Sequence, residues 1–206
     1  MKKISILIAD DHAVVRTGLR TLIECESDMS VVGEAENGET AVRLATKLKP
    51  DVVIMDLMMP KKDGATATAE IHAALPDVKI LILTTFGTSD GIVRALEAGA
   101  SGAVLKTSDD NSLLTAIRAV ADGQRFVSPE ISQLIQNDPP AQHLSSRQEE
   151  VLHSIIRGLT NRDIAAQLGI SEARIEEHVN AILQKINAAN RAEAVAIAMR
   201  KHLLKI

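Results

Sequence analysis

Short apolar runs alternate with helical patterns along the first part of the chain. The runs are ISILIA (4–9), SVVGE (30–34), VVIM (52–55), KILIL (79–83) and GAVL (102–105). Such short, mostly apolar stretches are what strands need when a parallel sheet is covered on both faces. Between them lie segments rich in Ala and Leu at 13–25, 38–48, 64–75, 90–98 and 109–122, with apolar residues at helical spacing. Five strand–helix units predict an α/β domain with a five-stranded, doubly wound parallel sheet over residues 1–123. Right-handed crossovers are the default for such units.

The pattern changes after Gly123. The stretch RFVSPEISQLIQNDPPAQH carries Pro129, Pro139 and Pro140. The Pro139–Pro140 pair breaks any helix there and predicts an extended, semi-rigid link. Residues 124–143 are read as a linker. From 144 to 206 the pattern is purely helical, with predicted helices at 146–157, 161–168, 172–186 and 191–203. This predicts a second, all-α four-helix domain. Thr160 or Asn161, Ser171 and Asn190 stand where N-caps belong, and Gly158 and Gly169 fit helix C-termini.

Charge separates the two parts. The whole chain is acidic, net −4 over 206 residues. Residues 1–126 hold 14 Lys and Arg against 18 Asp and Glu, whereas residues 144–206 hold 9 against 7. The halves are built for different partners. Cys25 is the only cysteine, which excludes an intramolecular disulfide and a multi-cysteine metal cluster. No apolar run approaches the roughly 18 residues of a membrane span. The N-terminal run ends in two aspartates instead of a small-residue cleavage site, so it reads as a strand and the expected compartment is the cytosol.

Candidate chemistry lies at the strand ends, where open parallel sheets bind ligands. Asp10 and Asp11 follow the first strand, Asp56 the third, Thr84 ends the fourth and Lys106 the fifth. An aspartate after a strand is also an ordinary helix cap, and Thr84 or Lys106 alone would carry little weight. Their joint occurrence at four strand ends predicts one crevice. Three carboxylates packed together need a cation or a raised pKa. Oxygen ligands suit a hard ion such as Mg²⁺, which takes carboxylates, waters and phosphate oxygens. An ammonium and a hydroxyl add a counter-charge and a donor for a phosphoryl group. The crevice is read as holding phosphate on Asp56 beside Mg²⁺.

The motifs LIADDH, DLMMPKKDG, LTTF and GASGAVLK together resemble the receiver domain of two-component response regulators, over about residues 3–123. The resemblance implies a flavodoxin-like fold and Asp56 as phospho-acceptor from a sensor histidine kinase. It implies Mg²⁺ on Asp11, Asp56 and the backbone carbonyl of Met58, with Asp10 helping through water. Thr84 and Lys106 would contact the phosphoryl oxygens. It also implies self-catalysed aspartyl phosphorylation and dephosphorylation, not turnover of an outside substrate. One departure stands out. Receivers usually carry Tyr or Phe three residues before the lysine, and here that residue is Ala103. There is no GxxxxGK or GxGxxG motif, so ATP is not an expected ligand.

Residues 144–203 resemble the helix-turn-helix domain of NarL/LuxR-type regulators, through LSSRQEEVL, GLTNRDIAAQLGIS, HVNAILQKI and RAEAVAIAM. In that family the helix at 172–186 lies in the major groove. Its stripe Ile175, Val179, Ile182, Leu183 and Ile186 faces a core, and its other face holds Arg174, Glu176, Glu177, His178, Asn180 and Gln184. The family commonly has a basic residue at position 176. Two acids there oppose the counterion release that drives non-specific binding. Three readings stay open. Arg162, Arg174, Arg147 and Lys185 hold the DNA backbone while a glutamate reads a base and Asn180 adds contacts. Or the domain acts through protein contacts and dimerisation, with DNA binding weak or lost. Or a partner protein supplies the missing positive charge. The resemblance implies a cytoplasmic, DNA-binding transcription regulator that forms a homodimer when phosphorylated.

Overall fold

The computed structural model describes residues 3–85, 89–140, 144–200 and Leu203, and the chain divides into two compact units, Met1–Asp138 and Pro139–Ile206. Phe86 and residues 201–202 of the predicted last helix lie outside the described residues.

The first unit alternates strands and helices: β1 (Ile4–Ala9), α1 (Ala13–Glu24), β2 (Met29–Ala35), α2 (Gly38–Leu48), β3 (Val52–Met55), α3 (Gly64–Ala74), β4 (Lys79–Thr84), α4 (Ser89–Glu97), β5 (Gly102–Leu105) and α5 (Asp110–Ala121), then β6 (Phe126–Val127) and α6 (Pro129–Asn137). All pairings are parallel, in the order β2-β1-β3-β4-β5-β6. Alternate residues of each strand serve opposite faces. Leu7, Ala9, Val53, Met55, Ile80 and Ile82 join the core with Ala41, Ile71 and Ile92. Ile6, Ile8, Val52, Ile54, Leu81 and Leu83 join a second core with Ile23, Leu113 and Ile117. Burial on both faces explains why the strands read as continuous apolar runs.

The predicted sheet of five strands has a sixth, and most of the predicted linker is ordered. Residues 126–137 form β6 and α6 instead of an extended link. Pro129 stands in the first turn of α6, where its missing N–H costs nothing, and the Ser128 side chain caps the helix. Ile131, Leu134 and Ile135 then share one face, which packs on the core that includes Ala103. Ser128 N–H donates to the Ala103 carbonyl at 3.0 Å. A Cβ on Gly102 would lie 2.2 Å from the Phe126 carbonyl oxygen, so β6 approaches β5 only because that position is glycine. The proline read as a linker marker was a helix start. The Pro139–Pro140 pair does stand outside regular structure.

The second unit holds α7 (Ser146–Ile156), α8 (Asn161–Leu168), α9 (Glu172–Lys185) and α10 (Arg191–Arg200). Ser145 and Thr160 form reciprocal capping boxes, Ser171 caps α9, and Asn190 accepts from the Glu193 N–H at 3.0 Å. Gly169 ends α8 in the left-handed conformation, at φ 66°. Val151, Leu152, Ile164, Ile175, Ile182 and Ala194 form its core. Among the described residues, no helix is long and apolar enough to cross a membrane.

If α6 belongs to the receiver fold, a 1–138 fragment should unfold at higher urea than a 1–123 fragment. Ile131→Ala, which empties a site with no solvent exposure, should cost the 1–138 fragment about 2–4 kcal/mol. Equal midpoints for the two fragments would show that β6 and α6 do not contribute.

Candidate functional site

The sheet order turns back at β1, with β2 on one side and β3 on the other. A crevice opens there at the carboxyl ends of the strands. Asp10 and Asp11 leave β1 into it, Asp56 leaves β3, Thr84 closes β4, and Lys106 follows β5. The turn after Asp56 folds tightly back. Gly64 N–H donates to the Leu57 carbonyl at 2.9 Å, and a Cβ on Gly64 would sit 2.0 Å from the Asp56 carbonyl oxygen. Glycine is therefore required where α3 begins after β3.

Asp10, Asp56 and Thr84 are 1%, 3% and 1% exposed. Lys106 Nζ lies 2.6 Å from Asp10 Oδ2 and 2.9 Å from Asp56 Oδ2, bridging the two carboxylates. Asp10 also accepts from the His12 backbone N–H at 2.9 Å through Oδ1. Burial pushes the Asp56 carboxyl above its ordinary pKa. The Lys106 hydrogen bond and charge pull it partly back, the Asp10 charge adds to the rise, and a bond from the Met58 backbone opposes it. Burial works against the Lys106 ammonium, yet its bonds to Asp10 and Asp56 hold it above its ordinary value. Two charged groups answer each other in a place with little water.

Three carboxylates face this one ammonium. Ligand atoms of Asp10, Asp11, His12 and Asp56 all lie within 4.8 Å of one another. The donor set fits a metal ion: it is largely oxygen, it carries excess negative charge, and the Asp56 carboxyl is already strained toward its neutral form. The crevice can hold a divalent cation. The structure thus brings together Asp10, Asp11, Asp56 and Lys106. Thr84 stands at the end of the strand beside β5, its carbonyl accepting from the Lys106 N–H at 2.7 Å. Met58 meets Asp56 through its backbone.

Two residues here escaped the sequence reading. His12 turns its Nδ1 to 2.7 Å from Asp11 Oδ1; its place directly after the two aspartates was the available signal. Arg16 Nη1 donates to the Asp10 carbonyl at 2.8 Å and pairs with Glu34 at 3.3 Å, tying the β1–α1 loop to β2. Only a contact between distant segments reveals that role.

On the second unit, α9 buries Ile175, Val179 and Ile182 and exposes Arg174, Glu176, Glu177 and Asn180. Arg174 Nη1 pairs with Glu177 at 2.6 Å. Glu177 is therefore locally neutralised, and Glu176 carries the face's unbalanced charge. Arg162, on α8, is exposed. Two of the predicted cations are turned inward. Lys185 Nζ donates to Gln148 Oε1 at 2.9 Å, and Arg147 donates to the Leu168 carbonyl at 2.9 Å and pairs with Glu150. They tie helices of the domain together.

Residues 6–118 match the response regulator receiver domain, and residues 142–198 match the bacterial regulatory proteins of the luxR family. The chain is 37% identical to the transcriptional regulatory protein LiaR of Bacillus subtilis, over 98% of this chain and 99% of LiaR. Its fold is similar to the response regulator ChrA of a heme-sensing two-component system, at TM-score 0.60 and 38% identity, covering 99% and 100% of the two chains. It is also similar to RcsB of Salmonella enterica serovar Typhimurium bound to a promoter with the phosphomimetic BeF3⁻, at TM-score 0.73 and 26% identity, covering 98% and 100%.

The Asp56 shift has a stability consequence. Its folded pKa lies above the unfolded value of 3.8. The group therefore contributes stability that is full below 3.8 and lost as pH rises through the folded value. Lys106→Met should move that window to higher pH in metal-free protein, because the lysine lowers the Asp56 value. Carbon-13 NMR of labelled aspartate reads this directly; an unmoved Asp56 titration would show that the bridge does not govern it.

Proposed function

The chain belongs to the response-regulator family, as a receiver domain joined to a luxR-type DNA-binding domain, and on that premise we propose that Asp56 accepts a phosphoryl group from a sensor histidine kinase. The observation that carries the proposal is the Lys106 ammonium held on Asp10 and Asp56 at the strand ends. An Asp56 carboxylate oxygen attacks phosphorus, and the donor departs with its bonding electrons. The new acyl phosphate needs its charge met on all sides. Lys106 gives up part of its bond to Asp56 and turns to a phosphoryl oxygen, and Thr84 offers its hydroxyl to another. Asp10 keeps the ammonium in place during the exchange. Asp11, Asp56 and the Met58 carbonyl are the residues that would hold Mg²⁺, which supplies a Lewis acid for the charge that develops in transfer. Beyond its own phosphorylation and dephosphorylation we assign no turnover.

Phosphorylation then biases a two-state receiver, releases or reorients the helix-turn-helix unit and favours a homodimer on DNA, in the cytosol. The RcsB relative, bound to a promoter in the presence of a phosphate mimic, supports that order of events. On α9, Glu177 is paired with Arg174, so Glu176 is the acid left to meet a base. A carboxylate in the major groove accepts from cytosine N4. Asn180 lies one turn on, and Arg162 is an exposed cation available for phosphates.

Two experiments test these assignments. Asp56→Asn should abolish labelling by acetyl phosphate in Mg²⁺; undiminished labelling would remove Asp56 from the role. In a titration of full-length protein against duplex pools at several salt concentrations, Glu176→Lys should raise non-specific affinity and steepen the salt slope by about one unit. An unchanged slope would place that face away from DNA.

A further inference from the structure

We propose that Arg16 is a positioning residue for phosphoryl transfer to Asp56. It clamps the peptide that joins Asp10 to Asp11, and so sets the direction in which the chain enters the crevice. The inference rests on the reading of Asp56 as the acceptor and adds a residue from outside the crevice to that site.

Asp10 is held at each of its polar groups. Its N–H donates to the Ala35 carbonyl at 3.1 Å, its Oδ1 accepts from the His12 N–H at 2.9 Å, and its Oδ2 meets Lys106 at 2.6 Å. Its carbonyl accepts from Arg16 Nη1 at 2.8 Å. Asp11 is held more loosely. It is exposed, and its carboxylate meets the exposed ring of His12 at 2.7 Å. Where Asp11 stands is therefore governed by the peptide before it. That peptide is planar, so the Asp10 carbonyl and the Asp11 N–H turn together. A clamp on the carbonyl is a clamp on the start of Asp11, and Arg16 supplies it.

Arg16 is built to hold. Its N–H closes the first turn of α1 on the His12 carbonyl at 3.1 Å, and its side chain is only 17% exposed. Glu34 on β2 pairs with its Nε at 3.3 Å, which aims the guanidinium and offsets its charge. Ile8 lies opposite Glu34 and Ala9 opposite Ala35, so the carboxylate and the Asp10 carbonyl come to the same end of the sheet. A guanidinium carries its donors in a rigid fork and meets both partners at once. A bond from a charged donor is also among the stronger ones.

Arg20 is the natural comparison. It lies one turn further along α1, takes the other oxygen of Glu34 at 2.6 Å and pairs with Glu24 at 3.0 Å. It strengthens the same seam between α1 and β2, but its bonds go to glutamates and not to the β1–α1 turn. Ordinary stability would make the two arginines alike. Positioning makes them different, because a displacement of about 1 Å away from the reacting atoms can slow a reaction about a hundred-fold.

The test compares Arg16→Met with Arg20→Met in the whole chain, each checked for folding by circular dichroism. In metal-free protein, hydrogen exchange followed by NMR reads the His12 N–H that closes on Asp10. Arg16→Met should speed that exchange about ten-fold relative to the last turn of α1, and Arg20→Met should leave it within about two-fold. With acetyl phosphate at saturating Mg²⁺, the rate of Asp56 labelling should fall about ten-fold in Arg16→Met and stay within about two-fold in Arg20→Met. Arg16→Lys keeps one donor for the carbonyl and should recover part of that rate. An unchanged labelling rate in Arg16→Met, or an equal fall in Arg20→Met, would overturn the role of Arg16 and leave Asp56 as acceptor. Should Arg16→Met not fold, Arg16→Lys against Arg20→Lys decides: only the first should slow labelling, by about two-fold or more. Labelling that persists in Asp56→Asn would instead remove the acceptor reading itself.

Discussion

The ammonium of Lys106 between the carboxylates of Asp10 and Asp56 is the interaction on which the receiver site depends. All three side chains are nearly out of water, and each would be costly there alone. Together they are tolerable, but not balanced. Asp11 leaves the cluster with excess negative charge, and Asp56 is held toward protonation despite its lysine. A cation in the crevice would relieve what the protein leaves unbalanced. Three strands must end at one level for this, and the register that pairs β1 with β3, β3 with β4 and β4 with β5 brings them there.

The edge of the sheet shows how a neighbouring part of the chain is recruited. β5 is short, with Gly102 and Ala103 at its start. Small residues at both positions let β6 and α6 pack where bulkier ones would stand. Receivers usually carry Tyr or Phe at position 103, three residues before the lysine. Here its surroundings are filled by Ile131, Leu134 and Val127 from beyond α5. The sheet edge beyond β4 is thus built partly from the segment that follows α5.

The helix-turn-helix unit divides its charges by the same logic of local pairing. Arg147 and Lys185 are spent on carbonyl and amide groups inside the domain, and Arg174 is spent on Glu177. What remains on the exposed side of α9 is carboxylates, Glu172 and Glu176, and the amides of Asn180 and Gln184. Recognition by such a face leans on hydrogen bonding to bases more than on attraction to phosphates.

Most of this protein could be read from its sequence, because its signals are local or periodic. Five strands with continuous apolar runs, the caps at Thr160, Ser171 and Asn190, and the stripe of α9 follow from spacing and side-chain type alone. The positions of Asp10, Asp11, Asp56, Thr84 and Lys106 at strand ends also follow, once the strands are parallel. The tertiary structure decided what depends on which distant groups meet. It made Pro129 a helix start on a sixth strand, since only packing on β5 stabilises so short an element. It set His12 and Arg16 around the carboxylates, and it turned Arg147 and Lys185 inward. A charged side chain's role is fixed by its nearest partner, and the partners of these residues lie up to 37 residues away along the chain.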